Sequence, residues 1–145
     1  MKLVAFCVFA VFCCSLANTS ANRTMERKKL QEVLRQLNAV KSSLQHNEQM
    51  LNTPPKNIED CCCLSALHCF RTNLQVQFNI TERNRSKLYR SLNHHFTESG
   101  LNFCNSGNVR PTCQDCDSHP KENASEFFNR LESLIQRAIA RLSMK

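Results

Sequence analysis

The sequence predicts an all-α fold: a four-helix bundle of up-up-down-down connectivity, with two long crossover loops and disulfides. Three observations predict it. Apolar residues recur at intervals of three and four in four separate stretches, and alternating β-branched runs are missing. Glycine and proline are scarce, at two and four residues, and all fall between those stretches. The connections run long (47–57), short (77–80) and long (97–122). A short link forces antiparallel neighbours, whereas a long one lets the chain cross the length of the bundle. A helix of about 20 residues is ~30 Å long, and about 11 extended residues reach ~36 Å. Long–short–long is what an up-up-down-down bundle requires.

The N-terminal stretch stands outside that bundle. Lys2 precedes an apolar run over 3–16, and Ser15-Leu16-Ala17 puts small residues at the −3 and −1 positions of a cleavage site. Residues 1–17 therefore read as a secretory signal peptide and 18–145 as one domain, with Ala21 as an alternative cleavage point. The run is shorter than the ~20 residues a bilayer span needs. The expectation is a secreted, extracellular chain with no membrane insertion. Removing Lys2 lowers the formal charge of +7 by one. A basic secreted domain favours acidic receptor surfaces or sulfated glycans. Its cations are spread over several segments without an interleaved aromatic platform, which argues against nucleic acid.

The first helix is predicted over 24–46, where Leu30, Val33, Leu34, Leu37, Val40 and Leu44 keep the helical interval and Thr24 is placed to cap. Arg23, Arg27, Lys28 and Lys29 crowd its first turns, against the helix dipole. They read either as a solvated face or as a contact surface for a partner's acidic residues. Asn52-Thr53-Pro54-Pro55 ends that segment. A second helix is predicted over 58–76, with Leu64, Leu67, Phe70 and Leu74 on its apolar side. A third is predicted over 81–96, with Leu88, Leu92 and Phe96 spaced by four and Asn93-His94-His95 as its polar end. Two adjacent histidines with no further ligand do not make a metal site, so no metal and no cofactor is expected.

The last helix, 123–143, has the clearest amphipathic pattern. Phe127, Phe128, Leu131, Leu134, Ile135, Ala138, Ile139 and Leu142 fall in one arc of about 140°, with Arg130, Arg137 and Arg141 opposite. Gln136 and Ser143 lie just outside the arc and Ile139 at its edge, a nearly uncharged strip that is cheap to desolvate. Asn123 stands three residues before Glu126, a capping-box pattern. Asn123 is also one of five glycosylation sequons, with Asn18, Asn22, Asn79 and Asn84, and a sugar would compete for the capping side chain.

Three of ten cysteines leave with the signal. Cys61, Cys62, Cys63, Cys69, Cys104, Cys113 and Cys116 remain as disulfide candidates, an odd number. On a helix, Cys62 and Cys69 return to one face about 10.5 Å apart, and Cys113 and Cys116 in extended chain are ~10 Å apart. They match as rungs of a ladder, giving Cys62–Cys113 and Cys69–Cys116, with the crossed pairing as the alternative. Either Cys61 or Cys63 is available to Cys104, and spacing does not choose. The C-x-x-C at Cys113 lacks the strand–helix context of a redox motif.

These features together resemble the interleukin-2, interleukin-15 and interleukin-21 family of short-chain four-helix cytokines. The residues that carry the resemblance are D-C-C-C-L-S-A-L-H-C-F (60–70), T-C-Q-D-C-D-S (112–118) and E-F-F-N-R-L-E-S-L-I-Q-R-A-I (126–139), with a looser match over L-Q-E-V-L-R-Q-L (30–37). In that family the two matching cysteine pairs are bonded in the uncrossed way; Cys61, Cys63 and Cys104 depart from its pattern. The resemblance implies a monomeric secreted ligand that joins a private receptor chain to the common gamma chain and starts Janus-kinase signalling in lymphocytes. It carries the gamma-chain site to Gln136 and Ile139, beside which the wheel sets Ser143. It carries the private-chain site to Met25, Lys28, Lys29 and Glu32, with Glu26 standing where the family has a basic residue. No catalytic residue is implied. The rival from another class is a secreted basic ribonuclease or antimicrobial protein. The lysine-centred C-K-x-x-N-T-F motif of pancreatic ribonucleases is absent.

Overall fold

The computed structural model describes residues 2–44, 47–104 and 112–144, with side chains from Ala21 onward. Among the described residues five α-helices are present: α1 (Lys2–Leu44), α2 (Cys63–Gln77), α3 (Arg83–Leu92), α4 (His95–Leu101) and α5 (Ala124–Ser143). Two three-residue strands, β1 (Met50–Asn52) and β2 (Lys121–Asn123), pair antiparallel with Leu51 opposite Glu122. The fold is mostly helical but not purely α.

Side-chain contacts fix the helix directions. Lys41 of α1 meets Glu132 of α5 at 3.4 Å, whereas Leu30 and Leu142 both approach Gly100, so α1 and α5 are antiparallel. Glu26 accepts a hydrogen bond from Ser99, while Arg35 and Ala39 lie beside Asn84, so α3–α4 also runs against α1. Tyr89 donates to Gln75, Arg71 to Glu98, and Phe70 packs on Phe127 with ring centroids 5.2 Å apart. Asp60, just before α2, reaches Arg141 near the end of α5. α1 and α2 therefore point one way, and α3–α4 and α5 the other.

The core forms where the predicted apolar stripes meet. Leu30, Val33, Leu37 and Val40 of α1, Leu67, Phe70 and Leu74 of α2, and Phe127, Phe128, Leu131 and Ile135 of α5 are all essentially fully buried. Gly100 is where α4 crosses α1: a Cβ there would stand 3.0 Å from Leu30 Cδ1, tighter than ordinary contact, so the missing side chain eases the close approach.

Four local expectations need correction. α1 runs without a break through Thr24, so Thr24 is not its N-cap; the backbone over 2–17, the expected signal peptide, is continuous with it. The predicted end of that helix at 46 lies outside the described residues. α2 begins at Cys63 rather than 58, because Asp60–Cys62 forms a 3₁₀ turn ahead of it. The third helix is not continuous to Phe96. It stops at Leu92, and His94 restarts the chain as α4, its Nδ1 accepting from the Phe96 amide at 3.1 Å. Thr97, fully buried, holds the break by donating its hydroxyl to the Ser91 carbonyl at 2.6 Å.

The fourth correction concerns the two long connections. Neither was assigned a strand from the sequence, yet they pair as β1–β2, extended by a bond from the Thr53 amide to the Pro120 carbonyl. Asn52 donates to the carbonyls of Asp117 and His119. Asn73 of α2 donates to the Asn52 carbonyl. Polar side chains thus complete what two three-residue strands leave unsatisfied.

Candidate functional site

Disulfides join Cys62 to Cys113 and Cys69 to Cys116, with Cα atoms 5.6 and 5.2 Å apart, which is the uncrossed ladder. A third joins Cys61 to Cys104. Three bonds therefore tie the 3₁₀ turn before α2 and the middle of α2 to the connection between α4 and α5. Loops of about 50 residues closed in this way add ~2–4 kcal/mol each. Cys63 is the free thiol among the described residues; it is buried, and burial pushes its pKa up, which keeps it protonated and unreactive.

Met25, Lys28, Lys29 and Glu32 share one concavity of about 400 Å³, closed on its far side by His94 and Phe96. Met25 is 46% exposed. Lys29 pairs with Glu32 at 3.2 Å, and Glu32 also accepts from Gln36. The wall from the α3–α4 break was not foreseen, because the sequence read that break as a helix end. His94 has its pKa lowered by burial first and then by Lys29 and His95, with Glu32 acting the other way. The rings of His94 and His95 stack. Among the described residues no group of three or more His, Cys, Asp or Glu is placed to hold a metal ion.

On α5, Gln136 and Ser143 are exposed and Ile139 is partly buried against the core. The Gln136 amide donates to Glu132 at 3.4 Å, and Glu132 in turn pairs with Lys41. The strip therefore has an ion pair at one end, which the helical wheel did not reveal. It lies at the same end of the bundle as the α1 concavity, since Leu30 and Leu142 meet beside Gly100.

The arginine stripe of α5 is not a solvated face. Arg137 and Arg141 both bind Asp60, the latter at 2.9 Å, and Arg137 donates to the Ile58 carbonyl at 2.7 Å. The Arg141 guanidinium stacks 4.4 Å from the Phe103 ring centroid. This clamp fixes the C-terminal half of α5 against the entry to α2, directly behind the strip. Arg130 pairs with Glu126 and Glu122.

All four expected sugar sites, Asn22, Asn79, Asn84 and Asn123, are exposed. Asn123 caps α5 by accepting from the Glu126 amide at 2.8 Å. The reciprocal half of the capping box is not made, because Glu126 turns to Arg130 instead. No helix among the described residues is long and apolar enough to cross a membrane. No known protein-family model matches the chain.

Proposed function

We propose that the chain is a secreted short-chain four-helix cytokine of up-up-down-down topology, most like interleukin-21 within the interleukin-2, interleukin-15 and interleukin-21 family. It acts as a non-enzymatic ligand that joins a private receptor chain to the common gamma chain and triggers Janus-kinase signalling in lymphocytes. One arrangement supports it above others: the paired bonds Cys62–Cys113 and Cys69–Cys116, clasping α2 to the approach to α5, in a bundle whose two crossovers run side by side. The largely helical chain is a poor match for the strand-rich fold of a pancreatic-type ribonuclease. Two exposed surfaces on different helices, around Met25 and around Gln136, suit a ligand that touches two receptor chains.

Pull-down of lymphocyte surface proteins with the oxidised, refolded chain tests ligand class and paralogue together. The expected captured pair is the private chain of interleukin-21 and the common gamma chain. Gln136→Asp places a carboxylate beside Glu132 on a strip that must be desolvated. It should abolish signalling while private-chain binding stays nearly intact. Equal loss of both would mean that the helix was simply damaged.

A further inference from the structure

The Cys61–Cys104 bond differs from the other two in its exposure and in what it joins. Cys62 and Cys69, one half of each other bond, are buried, whereas Cys61 and Cys104 are both only partly buried. Thiol–disulfide exchange needs a thiolate to reach one sulfur, so access selects which bond opens. The residue before each half belongs to the clamp on α5. Asp60 precedes Cys61 and binds Arg137 and Arg141. Phe103 precedes Cys104, and its ring centroid lies 5.9 Å from the Arg137 guanidinium and 4.4 Å from that of Arg141. The two cysteines are 43 residues apart in sequence, so one covalent bond brings the carboxylate and the ring to the same pair of arginines.

What holds the clamp without that bond is weak. Asp60 and both arginines are each about one third exposed, so water screens their attraction. Phe103 stands two residues past the end of α4 and is only partly buried against the core. The clamp also acts where α5 has least else to hold it. Phe127, Phe128 and Leu131 anchor the N-terminal half in the core, and Arg130 pairs with Glu122 and Glu126. Past Ala138 no described residue of α5 is buried. We propose that Cys61–Cys104 is a thiol–disulfide exchange site for an extracellular dithiol of the thioredoxin class, and that its opening loosens the C-terminal half of α5. A thiolate of the dithiol attacks one sulfur of the pair, forming a mixed disulfide and expelling the other cysteine as a thiolate, which takes up a proton. The second thiol of the reagent loses its proton and displaces the first cysteine, which is protonated in turn. The chain gains two electrons and two protons as two thiols, and the dithiol leaves as a disulfide. If that half of α5 meets the common gamma chain, which rests on the proposed function, reduction weakens the contact and spares the private chain.

The test treats the oxidised, refolded chain with stepwise amounts of reduced thioredoxin, traps thiols with iodoacetamide and maps them by peptide mass. Cys61 and Cys104 should be labelled first, with Cys62–Cys113 and Cys69–Cys116 intact. Cys63 is buried, so its labelling reports unfolding, and it should stay unlabelled. Amides over 137–143 should exchange hydrogen roughly tenfold faster in the opened form. Those around Leu131 should be nearly unchanged, and reoxidation should restore the slow rate. Cys61→Ser with Cys104→Ser should reproduce the opened form; if that variant does not fold, the alkylated parent chain provides the same measurement. Another bond opening first or in step, labelling of Cys63 alongside, or unchanged exchange over 137–143 would each overturn the proposal. The opened form, held on the private-chain ectodomain, should bind the gamma-chain ectodomain roughly tenfold more weakly. Selective opening and faster exchange, with the gamma chain bound by neither form, sinks the receptor reading alone. Gamma-chain binding equal in both forms sinks the switch alone.

Discussion

His119 is buried at the end of the second crossover, and its Nδ1 has no protein partner among the described residues. Desolvation by burial lowers its pKa from 6.5. Its folded pKa lies below its unfolded one, so its contribution is fully present above pH 6.5. It is lost as pH falls below that value, because the unfolded chain takes up the proton first. Urea midpoints should therefore drop from pH 7.5 towards about 5, and His119→Gln should reduce that slope, leaving the share of His94, whose pKa moves the same way. Asn123 has two roles that one pair of variants separates. Asn123→Ala removes the cap and should cost about 1 kcal/mol in chemical denaturation. Ser125→Ala removes the same sequon, keeps the cap, and should cost nearly nothing.

Among the elements, α5 was the most legible. Seven of its residues that fell within the predicted arc or at its start are buried, because a stripe repeating at 3.6 residues has only one way to meet a core. Leu131→Ala at its centre should cost ~2–5 kcal/mol by denaturation. Less legible were elements decided by contacts distant in sequence. The α3–α4 break uses histidine as a cap and a buried Thr97 hydroxyl, neither of which is a usual stop signal. β1 and β2 are three residues each and make sense only beside one another. The helical wheel gave the arginine stripe no partner, because Asp60 is 77 residues from Arg137 in sequence. Each side chain of that cluster is about one third exposed, so screening tempers its strength. Asp60→Asn should cost about 1 kcal/mol, read as a lowered thermal midpoint, while loosening the C-terminal half of α5.

At the scale of the molecule, a mostly helical fold and a match between the Cys62/Cys69 and Cys113/Cys116 pairs were readable from apolar periodicity and spacing, which left the crossed pairing open; the bonds formed are the uncrossed ones. The third bond was not, since the choice between Cys61 and Cys63 depends on which side of a 3₁₀ turn faces Cys104. Removing Cys61 and Cys104 together as serines should lower stability by ~2–4 kcal/mol without releasing the other two bonds, which non-reducing peptide mapping would verify. Of the surfaces, the groove around Met25, Lys28, Lys29 and Glu32 was not legible, because its far wall comes from the helix break. The whole account depends on one chain engaging two receptor chains through two faces. Size-exclusion chromatography of the refolded protein with both purified receptor ectodomains tests that directly. A three-component complex is predicted, reduced by Gln136→Asp to the private chain alone. A profile in which neither ectodomain shifts would contradict the account.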